Sequence, residues 1–137
     1  MKYLVDANVL SEPTKRVRVQ RVVDWLNANE TVLAASSVVM GEIWRGVDAL
    51  ADGRKKQELA AWFEKLCGQV PVFDWNLEIA VVWAQMVNHV KRRGHTVGIL
   101  DTMIAATAKH HGLTVATRNV ADFRRCGVPV INPFELT

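Results

Sequence analysis

A three-layer α/β fold with a short, mostly parallel central sheet is what this 137-residue sequence predicts, on three observations. Short apolar runs alternate with longer stretches whose apolar residues recur at helical spacing. Alternation of strand with helix builds βαβ units, whose parallel sheets carry helices on both faces. Finally, half of the residues are apolar and 23% are charged, a balance that buries a real core in one domain, residues 1–137.

The elements follow in order. Lys2–Val5 is a β-rich run ending at Asp6, and Val19, Val22, Val23 and Leu26 recur on one helical face. Thr31–Ala35 is the second strand, followed by Val39/Met40, Ile43/Trp44 and Val47 at helical spacing. Leu59, Trp62/Phe63 and Leu66 mark a helix for which Gly68 is the expected stop. Val70–Phe73 is the third strand. The helix of Ile79, Trp83, Met86/Val87 and Val90 ends in Lys91-Arg92-Arg93-Gly94, with cations at the negative end of its dipole and glycine after it. Asp101–His111 is a helix closed by Gly112, and Leu113–Thr117 and Val128–Ile131 are the last strands. The four prolines punctuate the chain without clustering, and no repeat or linker interrupts it.

Composition narrows the function. The net charge of +3 is too small to identify a nucleic-acid partner. No apolar run has the roughly 18–20 residues of a membrane span, and Asp6 follows too soon for a signal peptide, so a cytoplasmic location is expected. Cys67 and Cys126 stand in no metal-ligand or redox spacing and read as reduced thiols. Gly41-x4-Gly46 lacks the Lys-Ser/Thr of a P-loop, no G-x-S-x-G occurs, and His89, His95, His110 and His111 form no zinc motif.

Three acids interrupt apolar elements: Asp6 after Leu4-Val5, Glu42 among Val38–Met40 and Ile43-Trp44, and Asp101 between Ile99-Leu100 and Met103–Ala106. In a parallel sheet, strand C-termini and helix N-termini share one edge. Asp6 ends a strand, Asn119 follows one, Asp101 opens a helix, and Glu42 leans back toward the start of its own helix, so all four meet on that edge. Taken singly, Asp101 and Asp6 could be caps and Asn119 an ordinary loop residue. Together, crowded carboxylates share a proton or bind a cation, and ligation by oxygen alone suits Mg²⁺ or Mn²⁺ and phosphoester hydrolysis. A haloacid-dehalogenase-type phosphatase also carries an Asp after its first strand, but needs a second two residues on, where Asn8 stands.

Four segments then carry a resemblance: "LVDANVLSEP", "SSVVMGEIWRG", "GILDTMIAATAKHHGLTVATRNVADF" and "VINPFEL". Over Lys2–Leu136 the chain resembles the PIN-domain family, specifically the VapC-like and FitB-like toxin ribonucleases of type II toxin–antitoxin pairs. The resemblance implies a PIN-type α/β/α sandwich, with Asp6, Glu42 and Asp101 as metal-binding and catalytic acids and Asn119 beside them. It implies Mg²⁺ or Mn²⁺, an RNA substrate cut to a 5′-phosphate and a 3′-hydroxyl, a homodimer, and a VapB-like or FitA-like antitoxin through which alone operator DNA is bound. Many relatives carry Asp where this chain has Asn119, and Asp122 could supply the missing charge. Thr117 matches a hydroxyl lining the family pocket. Arg45, Arg92 and Arg93, with Arg16, Arg18, Arg21 and Lys91, are candidate phosphate contacts. An alternative function is a weakly active or inactive module that works through antitoxin binding. The five tryptophans are more than one small core hides, which is consistent with the implied dimer.

Overall fold

Strands β1 (Tyr3–Val5), β2 (Leu33–Ser36), β3 (Val72–Phe73), β4 (Thr114–Ala116) and β5 (Val130–Ile131) form one sheet in the order β3-β2-β1-β4-β5, with every neighbouring pair parallel. The structure is a computed structural model and describes residues 1–136; Thr137, the last residue of the expected domain, lies outside them. The chain starts in the middle of the sheet, moves outward through β2 and β3, and crosses back to lay β4 and β5 on the other side of β1. The order therefore reverses between β1 and β4, and in open parallel sheets ligands bind at the carboxyl ends of the strands flanking such a reversal.

Among the described residues, seven α-helices flank the sheet: α1 (Ala7–Leu10), α2 (Gln20–Ala28), α3 (Ser37–Asp48), α4 (Arg54–Gln69), α5 (Leu77–Arg92), α6 (Ile99–His111) and α7 (Val120–Arg125). Leu4, Val5, Ala34, Ala35, Val115 and Ala116 are wholly buried, as strands covered on both faces must be. Ile104, Ala105, Ala106 and Ala108 are fully buried as well, so α6 lies well inside the molecule, where short side chains permit close approach.

The strands are shorter than the apolar runs that predict them, because the ladder ends where neighbouring strands end. Two short helices, α1 and α7, escape the periodicity argument because they are barely a turn or two long. Gly68 is not a helix stop: α4 runs through it to Gln69, and Val70 leaves the helix at φ −111°, ψ 124°. Pro71 explains this, since its ring drives the preceding residue out of the helical region. Gly112 does close α6 in the left-handed region, at φ +67°. Asp101 is not a cap but the third residue of α6, whose N-cap is Gly98. Both cysteines are free. None of the five tryptophans is fully buried, and Trp44 is 40% exposed. Among the described residues, no helix is long and apolar enough to cross a membrane.

Candidate active site at the carboxyl edge of the sheet

Asp6 sits directly after the central strand, only 5% exposed, and is held by three donors. Its Oδ1 accepts from the backbone N–H of Ala7 at 2.8 Å, which starts α1. Its Oδ2 accepts from the Thr117 hydroxyl at 2.7 Å and the Asn8 side-chain amide at 3.3 Å. Burial pushes the Asp6 carboxyl above its ordinary value, and these three bonds oppose it. Capping and a site role are thus compatible in this residue.

Thr117, fully buried at the end of β4, ties the two sides of the strand reversal together. Besides donating to Asp6, its Oγ1 accepts from the Asn119 N–H at 3.0 Å. Asn8 completes the link, because its Oδ1 accepts from the Arg118 N–H at 3.2 Å. Asn8 is a residue that sequence reasoning passes over as a site component. The signal available is an amide two positions beyond a strand-ending Asp, a spacing that lets both side chains face one turn.

Asp101 and Glu42 face Asp6 from two helices. The Asp101 carboxyl is pushed up to about 6 by burial first and then by the negative charges of Asp6 and Asp122, against a hydrogen bond from Asn119. Glu42, half-buried and midway along α3, is raised by burial and by the charges of Asp6 and Asp101, against the nearby Arg45 cation. Its Oε1 is buried with no hydrogen-bond partner. A buried polar oxygen left unpaired costs about 1–3 kcal/mol.

Asn119 adopts a different posture from a carbonyl ligand. Its Nδ2 donates to Asp101 Oδ2 at 2.7 Å and to Asp122 Oδ2 at 2.9 Å, so the amide bridges two acids. Asp122 is therefore turned inward by the first turn of α7, while its Oδ1 pairs with Arg125 Nη1 at 3.3 Å. Of the predicted basic residues, Arg45 follows Glu42 by three positions on α3. Lys91, Arg92 and Arg93 are exposed at the end of α5, beside the short segment that leads into α6. Arg16 and Arg18 are exposed between α1 and α2; the Arg18 guanidinium bonds the Pro13 carbonyl at 2.8 Å and that of Arg21 the Phe134 carbonyl at 3.1 Å.

The donor set is carboxylate and amide only, which fits a hard cation. Among the described residues, no three His, Cys, Asp or Glu side chains are set as a ready-made cage. An ion of the magnesium class does not require one, since it keeps several waters and takes one or two carboxylates directly. The mutual repulsion of the acids and the orphaned Glu42 oxygen are the features that such a charge would relieve.

Comparison with known proteins identifies the family to which this fold belongs. A family model described as PIN domain matches residues 3–128. Toxin FitB of Neisseria gonorrhoeae is 36% identical over 140 residues, covering 96% of this chain and 98% of that protein. VapC ribonuclease Y4jK of Sinorhizobium fredii is 33% identical over 139 residues, covering 96% and 97%. A solved structure of FitAB bound to an IR36 DNA fragment superposes with a TM-score of 0.91 at 33% identity, covering 98% of this chain and 97% of that one. With its all-parallel sheet, its acids at the strand reversal and this match along its length, the chain belongs to the PIN-domain family.

Proposed function

We propose that the chain is a single-domain, divalent-metal-dependent endoribonuclease, the toxin of a type II toxin–antitoxin pair. The observation that carries this is the convergence of Asp6, Glu42 and Asp101 at the strand reversal, with one Glu42 oxygen buried and unpaired. The names of the relatives, a FitB toxin and a VapC ribonuclease, support the substrate class. When bound, Mg²⁺ or Mn²⁺ would activate water and offset charge on the phosphodiester.

The residues divide the work. Asp6, Glu42 and Asp101 hold the ion, Asp6 as the rigid member because three donors lock its carboxylate. Asn119 orients Asp101 and keeps Asp122 close, so negative charge stays available without a fourth direct carboxylate. Thr117 sets the position of Asp6 and the course of the loop carrying Asn119. Arg45, Arg92 and Arg93 offer cations to the RNA backbone, which fixes register without reading sequence. A FitA-like or VapB-like antitoxin is the matching partner, and operator DNA is reached through it, as the FitAB complex with DNA suggests. The working form is a cytoplasmic homodimer.

One feature favours a second reading. Asn119 presents its nitrogen to the acids, so a second cation finds no oxygen there, and a weakly active module that works through its antitoxin becomes the alternative. Purified protein incubated with RNA decides between them. Cleavage should require Mg²⁺ or Mn²⁺, stop with EDTA, and vanish in Asp6→Asn. Full cleavage in EDTA or in Asp6→Asn overturns the assignment, and absence of both metal binding and cleavage, with antitoxin binding intact, favours the alternative.

A further inference from the structure

Arg118 lies between the two residues that tie the site together, Thr117 and Asn119, yet it is itself exposed. Its guanidinium carbon sits 3.7 Å from the centre of the Phe134 ring, a close cation–π seat. Phe134 is itself fixed: Arg21 Nη1 donates to its carbonyl at 3.1 Å, and its N–H donates to Asn132 Oδ1 at 3.0 Å. The Arg118 cation is also near enough to favour the ionised form of Glu12, a residue only 1% exposed that pairs with Lys15 at 3.0 Å. The backbone of Arg118 is anchored too, through Asn8.

An exposed arginine normally loses much rotamer freedom when it binds a ligand. This one is held beforehand by a ring and a pinned backbone, while the residue remains exposed to solvent. Arg118 lines a recess of about 490 Å³ whose other polar lining residues are Asn119, Arg124, Asn132 and a single carboxylate, Glu135. Cations and amides against an edge of the acid cluster suit a polyanion whose reacting phosphate lies at the acids and whose neighbouring phosphate lies here.

We propose that Arg118 is a substrate-positioning residue that grips the RNA phosphate adjoining the scissile one, seated for that contact on the Phe134 ring. This rests on the ribonuclease reading above and adds to it a named residue and a side of approach.

The test uses a fluorescein-labelled single-stranded RNA, with cleavage kinetics in Mg²⁺ at several KCl concentrations and fluorescence anisotropy in EDTA. Arg118→Ala should raise KM about tenfold and lower the slope of log KM against log salt by about 0.7, the share of one phosphate contact on a single strand, with turnover at saturating RNA changing far less. Arg118→Lys should restore the salt slope but only part of the affinity, because an ammonium lacks the planar stack. Phe134→Leu should behave like Arg118→Lys. Lys109→Ala, which removes one charge at the far end of α6, serves as the control, and circular dichroism melting checks that each variant folds. An Arg118→Ala protein with wild-type KM and salt slope overturns the proposal, as does one that loses turnover alone. So does one that keeps RNA affinity and loses binding to a partner protein, which would assign Arg118 to a protein interface. Wild-type protein that neither binds nor cleaves RNA overturns the ribonuclease reading itself, whereas wild-type cleavage with an indifferent Arg118→Ala overturns only this step.

Discussion

Two glutamates, Glu12 and Glu42, each bury a carboxylate oxygen in opposite electrostatic surroundings: Glu12 Oε2 meets the Lys15 ammonium at 3.0 Å, and Glu42 Oε1 has no hydrogen-bond partner. Around Glu42 the neighbouring charges are chiefly negative, from Asp6 and Asp101, and its pKa is raised. Around Glu12 they are positive. Burial opposes its ionisation, but Lys15 at 3.0 Å, the Val19 N–H at 3.3 Å and the Arg118 charge together hold its pKa below the usual value. Burial of an acid therefore does not separate structure from function here; the sign of its neighbours does. Glu12 is neutralised from within the chain and fastens the loop between α1 and α2. Glu42 lies where its own chain repels it, the surroundings that a bound cation would relieve.

Variants can break this contrast. The largest effect is expected at the acid cluster, where Glu42→Gln or Asp101→Asn should lower metal-dependent RNA cleavage on the order of 100-fold or more while the melting temperature of the metal-free protein holds or rises, since repulsion is relieved. Cleavage assays beside thermal melts check both halves, and a Glu42→Gln protein that melts much lower would make Glu42 structural. Glu12→Ala should do the reverse, losing about 1–3 kcal/mol of stability with its buried bond and ion pair while turnover at saturating RNA is kept. Denaturant unfolding measures that loss, and unchanged stability would remove Glu12 from the frame of the fold.

A smaller effect belongs to Thr117. Thr117→Val removes the hydroxyl that favours ionised Asp6, so the acidic limb of the cleavage pH profile should move up by about one unit, and Thr117→Ser should restore it. A profile that does not move would deny the hydroxyl any influence on Asp6.

The smallest effect is in stability against pH, and the two glutamates give it opposite signs. Asp101, with its pKa raised from 3.8 to about 6, and its raised partners Asp6 and Glu42 keep protons in the folded state that the unfolded chain has already released. Their contribution is full below the ordinary carboxylate value and is lost as pH rises through about 6. Glu12 contributes fully above its ordinary 4.5 and loses its contribution as pH falls through its lowered value. Metal-free protein should therefore melt progressively lower as pH rises through about 6, and Mg²⁺ should recover more of the loss at the upper end, where it no longer competes with protons. In Asp101→Asn the slope should flatten; an unaltered slope would place its origin elsewhere.

Much of this was legible in the linear chain. Alternating apolar runs and helical faces follow local periodicity, so they gave the α/β class, the parallel sheet and the positions of the long helices. Asp6, Glu42 and Asp101 stood out because a charge inside an apolar pattern is visible without coordinates. Gly68 misled because glycine is only one way to end a helix, and the proline three residues later had the stronger steric claim. The short helices α1 and α7 were invisible to periodicity, and so was the inward turn of Asp122 that α7 produces.

What needed the folded molecule was every relation between residues on the loops of different strands. The bond from Thr117 to Asp6 and the bond from Asn8 to the Arg118 backbone arise because β4 returns to lie beside β1, and the seat of Arg118 on Phe134 arises because β5 then pairs with β4. A residue's type shows that it can carry charge or donate a bond. Whether it meets a cation, another acid or nothing depends on which distant segments the sheet order brings to the same edge. That is why Glu12 and Glu42, alike as letters in the chain, part company only in three dimensions.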